Sequence, residues 1–234
     1  MINPAEPSVP ADDAERRSSP HRLVIVDDHA VIRAGLARLL DDIYGVDVPG
    51  QTSSAADAIP MIAEVEPDLV IVDYSLPDKD APELIADILE RWPKMPVIVL
   101  SIHENRHYAV RALRAGARGY LVKADAPEEV EEAILAVASG ESFITSRLRS
   151  SVTEQLLRPA RDRAGLDRLS DREFQLLRFI VRGLSLQEAA VEMKVSESTV
   201  STYRRRLIDK IGVKNNAQLV RFALEHGIDE DEPI

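Results

Sequence analysis

No cysteine occurs anywhere in the 234 residues, which excludes a disulfide framework, a thiolate metal site and a thiol nucleophile and gives no argument for export. No apolar run approaches the length a bilayer span needs. The N-terminal stretch is rich in proline, alanine, serine and acids, with neither the apolar core of a signal peptide nor an Arg-rich amphipathic pattern, so residues 1–21 read as a disordered tail. A cytoplasmic protein with no membrane partner is expected. Basic charge is also short. Lys and Arg number 29 against 40 Asp and Glu, a net charge of −11, which over the whole chain argues against a nucleic-acid partner.

The average hides an asymmetry. Between Gly165 and Leu224 eleven basic residues face seven acidic ones, leaving that segment at +4. A length of 234 residues with 45% hydrophobic content suits two domains of ordinary size. From Leu23 to Gly140, apolar runs alternate with segments of helical spacing. The runs are Leu23 to Val26, Leu69 to Val72, Val97 to Leu100 and Tyr120 to Val122, with a weaker one at Val46 to Val48. Five strands alternating with five helices predict a doubly wound α/β domain over residues 22–142, its parallel sheet covered on both faces. Residues 143–167 lose periodicity and read as a linker whose first part is open to helix. Residues 168–234 carry four short helical patterns and an acidic end. Two open on capping boxes, Ser170 with Glu173 and Ser185 with Glu188. Ser196 and Asn215 are placed to cap the third and fourth.

In a doubly wound sheet, ligands bind beyond the C-terminal ends of the strands. There the sequence places Asp27 and Asp28 after the first run, Asp73 after the third, Ser101 after the fourth and Lys123 after the fifth. Singly, each is the kind of residue that starts a turn or caps a helix. Together, three carboxylates held close repel one another unless a cation offsets them, and oxygen donors with no His or Cys nearby suit Mg²⁺.

Asp27-Asp28, the strand-ending Asp73 followed by Leu76-Pro77, Ser101 and Gly119-Tyr-Leu-Val-Lys123 together resemble the receiver domain of two-component response regulators. The resemblance implies a flavodoxin-like fold and Asp73 as phosphoryl acceptor. It implies Mg²⁺ (or Mn²⁺) ligated by Asp28, Asp73 and the Ser75 carbonyl with Asp27 assisting, Ser101 and Lys123 as phosphoryl-stabilising groups, and Tyr120 as a switch aromatic that turns inward. The chain departs from the common pattern at Ala81-Pro82, Ile102 and Ala124. Ser75 and His103 are expected to flank the path of the water that hydrolyses the aspartyl phosphate.

At 100° per residue, Val200, Leu207 and Ile211 form the inner stripe of the third C-terminal helix, while Ser198, Thr202, Arg205 and Asp209 face outward. Small hydroxyls followed by arginine at the start of an exposed helix suit a major groove. The rival reading is a solvated charged face. Leu169 to Gly227 is similar to the LuxR-type helix-turn-helix domain, and the whole chain resembles the NarL/FixJ response regulators. That likeness implies Ser201, Thr202 and Arg205 at base edges, with Ser198, Tyr203, Arg204, Arg206 and Lys210 on phosphates. It also implies a homodimer on double-stranded promoter DNA through Ala217, Leu219, Val220 and Ala223, and a sensor histidine kinase as phosphodonor. The expectation is therefore a transcription regulator and not an enzyme. The alternatives are a receiver that is never phosphorylated and serves as a dimerisation module, or a Mg²⁺-dependent phosphohydrolase using Asp73. The latter lacks a second catalytic Asp close after Asp73.

Overall fold

The computed structural model describes residues 21–41, 45–125, 127–159 and 165–228. Its N-terminal half alternates β1 (His21–Val26), α1 (Ala30–Asp41), β2 (Val46–Thr52), α2 (Ala55–Val65), β3 (Leu69–Asp73), α3 (Ala81–Arg91), β4 (Val97–Ser101), α4 (Arg106–Ala115), β5 (Gly119–Val122) and α5 (Pro127–Ala138). With a sixth strand, β6 (Phe143–Ile144), the sheet is parallel in the order β2-β1-β3-β4-β5-β6. Apolar residues pack on both of its faces, which is why β3 and β4 are buried end to end.

Three expectations need correction. Strand β1 begins at His21, inside the stretch assigned to the tail, because His21 N donates to the Gly45 carbonyl at 2.7 Å; residues 1–20 lie outside the described ones. Strand β2 runs on to Thr52 through Pro49 and Gly50, a pair that reads as a break. As an edge strand bonded only to β1 it tolerates a missing N–H. The segment 143–167 is helical in its first part, as the sequence left open, but it is more than a connector. Phe143–Ile144 adds β6 beside β5, Ser146–Leu157 forms α6, which packs on α4, and Gly165–Arg168 is a 3₁₀ turn.

The C-terminal half contains α7 (Asp171–Val181), α8 (Leu186–Glu192), α9 (Glu197–Ile211) and α10 (Asn216–Glu225). Both capping boxes form. Ser170 and Ser185 accept from the N–H groups of Glu173 and Glu188, whose side chains accept from the serine N–H groups in return. Ser196 and Asn215 cap α9 and α10. The apolar layer on one side of the sheet continues into this half through Tyr108 of α4, whose ring meets Phe174 of α7 edge-on at 5.3 Å.

Gly116 ends α4 with φ +112°, and a Cβ there would collide with Leu89 Cδ1. Gly116→Ala combines left-handed strain with a steric clash and is expected to cost roughly 1–3 kcal/mol, read as a lower denaturation midpoint with an unchanged slope.

Candidate functional site

Strands β1 and β3 are neighbours in register, Val26 beside Val72, so Asp27 and Asp73 leave the sheet at the same edge. Asp73 is almost fully buried, and the Val/Ile run behind it fixes its backbone. Lys123 Nζ lies 2.7 Å from Asp73 Oδ2 and 2.9 Å from Asp27 Oδ2. Burial pushes the Asp73 carboxyl up to about 7; Lys123 pulls it down, and Asp27 and Asp28 push it further up. Burial alone would lower Lys123, but Asp73 and Asp27 hold it above the usual lysine range. Ser101, also buried, accepts at Oγ from His103 N at 3.1 Å.

His29 is the residue that sequence reasoning missed. Its Nδ1 sits 2.7 Å from Asp28 Oδ1, 3.5 Å from Asp27 Oδ1 and 3.7 Å from Asp73 Oδ2. One donor atom from each of Asp27, Asp28, His29 and Asp73 falls within 4.8 Å of the others. The expectation of oxygen donors with no histidine nearby is thus corrected. The available signal was its position directly after Asp27-Asp28. Three carboxylates against one ammonium leave an excess of negative charge that fits a hard divalent cation, and the imidazole adds a donor better suited to transition ions than to Mg²⁺.

The loop after Asp73 is tied down from several sides. Ser75 and Asp80 form an antiparallel bridge, and Ala81 N donates to the Tyr74 carbonyl at 2.8 Å. Asp78 accepts from Ala55 N and Ala56 N at 2.9 and 2.8 Å, and Lys79 pairs with Asp87. Tyr120, expected to turn inward on switching, is already buried, and its hydroxyl donates to the His103 carbonyl at 3.0 Å. Ser75 and His103, expected to flank the path of the hydrolytic water, are each engaged by a neighbour. The Ser75 hydroxyl accepts from Arg178 Nη2 of α7 at 2.9 Å, and the His103 ring stacks on Tyr108 at 3.9 Å.

The two halves are joined by polar contacts, of which the Arg111 bonds to two carbonyls are buried. Arg111 of α4 donates to the carbonyls of Leu166 and Leu169 at 3.0 Å each and to Asp171 Oδ1 at 2.7 Å, with its guanidinium 4.1 Å from the centre of the Phe174 ring. His107 Nδ1 meets Asp167 Oδ1 at 2.9 Å, and Gln155 reaches the other carboxylate oxygen. Asn105 donates to the carbonyls of His226 and Gly227 at 2.8 Å.

On α9, Val200 and Leu207 are buried and Ile211 is half-buried, as the periodicity predicts. Ser198, Ser201, Thr202, Arg205 and Arg206 are exposed, so the packing of the two halves leaves this face open. Tyr203 and Arg204 are half-buried, and Arg204 Nε donates to Asn216 Oδ1 at 2.7 Å. Lys210 Nζ is paired with Glu173 at 2.6 Å and is turned toward its own domain. Leu219 and Ala223 are fully buried among the C-terminal helices, Val220 is half-buried against the same core, and Ala217 and Leu224 are exposed on α10. The apolar stripe of a short amphipathic helix goes first to its own core.

Comparison with known proteins bears on both halves. Residues 23–135 match the family described as "Response regulator receiver domain", and residues 167–223 match "Bacterial regulatory proteins, luxR family". The chain is 31% identical over 212 residues to the response regulator UvrY of Escherichia coli K12, covering 91% of this chain and 97% of that one. It is 30% identical over 207 residues to the response regulator GacA of Pseudomonas aeruginosa, covering 88% and 97% respectively. Among solved structures it resembles RcsB of Salmonella enterica serovar Typhimurium bound to a promoter in the presence of a beryllofluoride phosphomimetic. There the TM-score is 0.69 and the identity 26%, over 87% of this chain and 98% of that one.

Proposed function

Because the chain belongs to the response regulators that join a receiver domain to a LuxR-type DNA-binding domain, we propose that Asp73 accepts a phosphoryl group from a sensor histidine kinase and thereby controls binding to promoter DNA. The observation that carries this reading is the convergence of Asp27, Asp28, Asp73 and Lys123 on one sheet edge, with Asp73 buried against the ammonium group.

The Asp73 carboxylate attacks phosphorus as the bond to the donor nitrogen breaks. Lys123 offsets charge on the transferred group, and the Ser101 hydroxyl, released from His103 N, donates to a phosphoryl oxygen. A divalent cation, Mg²⁺ or Mn²⁺, would be held by Asp28, Asp73 and the Ser75 carbonyl with Asp27 assisting, and when bound it supplies charge neutralisation. The receiver runs from His21 through β6, and the DNA-binding domain begins at about residue 168.

Ser201, Thr202 and Arg205 face the major groove, while Ser198, Arg204, Arg206 and Tyr203 contact phosphate. Lys210 joins them once it leaves Glu173. Because one small domain makes few phosphate contacts, a homodimer on paired half-sites provides useful affinity. A cytoplasmic location fits this role, and no helix among the described residues is long and apolar enough to cross a membrane.

Stoichiometric labelling with a phosphodonor tests the assignment. One phosphoryl per chain, lost in Asp73→Asn, supports it; continuous release of phosphate supports a hydrolase, and no incorporation supports an inert dimerisation module. Arg205→Ala is expected to weaken specific DNA binding by about 1–3 kcal/mol. Arg206→Ala is expected to weaken all sequences alike and to lower the salt slope by about one unit. Titrations on specific and unrelated duplexes at two salt concentrations check both.

A further inference from the structure

Resting on the reading of Asp73 as a cation-dependent phosphoryl acceptor, we propose that Arg178, contributed by the DNA-binding half, is a positioning residue of the acidic site and competes there with the divalent cation. Arg178 Nη1 donates to Asp80 Oδ1 at 3.0 Å and Nη2 to Ser75 Oγ at 2.9 Å. These are the two residues whose bridge closes the loop beyond Asp73. One guanidinium therefore clasps both ends of the segment whose Ser75 carbonyl is assigned to the cation. The hydroxyl of Ser75 serves the DNA-binding half, and its carbonyl serves the acidic site.

The same cleft, about 260 Å³ in volume, is lined by Asp28, His29 and Ser75 from one half and by Arg178, Arg182 and Glu192 from the other. A cation drawn to Asp28 enters a space where the DNA-binding half presents two guanidinium groups against one carboxylate. Arg178 is only 7% exposed and lies 5.8 and 5.7 Å from the ring centres of Tyr74 and Tyr108, so little water stands by to screen it. Asp80 neutralises part of that charge, and the remainder repels the cation. Occupancy of the site and engagement of Arg178 oppose each other, and by linkage the effect runs equally in both directions. A residue of the DNA-binding half thus sets the cation affinity of the receiver, and cation loading loosens the contact between the halves.

Calorimetric titration of the full chain with Mg²⁺ tests this. Arg178→Ala is expected to bind Mg²⁺ about three- to tenfold more tightly than the unmodified chain. Arg178→Lys, which keeps the charge, should stay within about twofold of it. Ser75→Ala, which leaves the carbonyl and the DNA-binding half intact, should shift affinity in the same direction as Arg178→Ala by a smaller factor. Arg172→Ala, which cuts the separate pair with Glu83 at 3.1 Å, should leave affinity unchanged. Equal or weaker binding in both Arg178→Ala and Ser75→Ala overturns the proposal, as does equal tightening in Arg172→Ala. If Mg²⁺ binds and Asp28→Asn abolishes it while Arg178→Ala has no effect, this inference alone fails. If no form binds Mg²⁺, the acceptor reading fails with it.

Discussion

Asp73→Asn is expected to abolish phosphoryl incorporation and, at pH 8, to make the metal-free chain more stable. The first effect is the loss of the nucleophile. The second follows from the raised carboxyl, about 7 in the folded chain against 3.8 for the ordinary group, caused first by burial. A group whose folded pKa lies above its unfolded one binds its proton more tightly in the folded state. Its contribution to stability is therefore complete at acid pH and lost as pH rises from about 4 to about 7. Three units correspond to at most about 4 kcal/mol of strain in the ionised form. Asparagine removes that strain but also the 2.7 Å pairing with Lys123, so a net gain of about 1–2 kcal/mol at pH 8 is expected, with little or none at pH 5. Denaturant titrations at the two pH values measure it. A variant that is destabilised at pH 8 would show that the carboxylate is a structural partner of Lys123 and is not held under strain for chemistry.

The second large effect is expected at Arg111, far from any phosphate or base. Its guanidinium is 8% exposed and joins α4 to α7 through two carbonyls, a carboxylate and an aromatic face. In Arg111→Ala the Leu169 carbonyl loses the guanidinium donor, the Leu166 carbonyl keeps only Leu169 N at 3.2 Å, and the ring of Phe174 loses its cation. The lost carbonyl bonds and the lost charge-assisted bond to Asp171 together cost about 3 kcal/mol, or about a hundredfold in the equilibrium between docked and separated halves. Small-angle X-ray scattering should record a larger radius of gyration for the variant in the absence of phosphoryl group and cation. Arg111→Lys should recover only part of the compaction, since an ammonium cannot match the planar fork. An unchanged radius would mean that the apolar contact of Tyr108 with Phe174 holds the halves by itself.

What the sequence made legible were features set by local chemistry. The Val/Ile runs marked the buried strands, and the residue after each run marked the site, because a parallel sheet covered on both faces puts its strand ends in one place. Each serine or asparagine cap falls where the side chain satisfies a free N–H of the next helix. What escaped depended on partners distant in sequence. Pro49-Gly50 belongs to a strand because it lies at the sheet edge. Phe143-Ile144 is too short to show periodicity and exists as β6 only beside β5. His29 bears no mark of its own until the strand ends bring Asp73 to it. Nothing in the spacing of Arg111 or Arg178 foretells contacts 55 to 103 residues away. Lys210, which its place on the recognition helix suggests for phosphate, is paired here with Glu173, another partner that spacing does not foretell.

The most direct test of the account is the affinity of the full chain for a target duplex, measured with and without Mg²⁺ and beryllofluoride and repeated with Asp73→Asn. The account predicts that the phosphate analogue strengthens binding at least about tenfold in the unmodified chain and shifts it toward two chains per duplex, a change of about 1.4 kcal/mol or more, and that it does nothing to Asp73→Asn. Equal affinity with and without the analogue, or an equal response from Asp73→Asn, would contradict it.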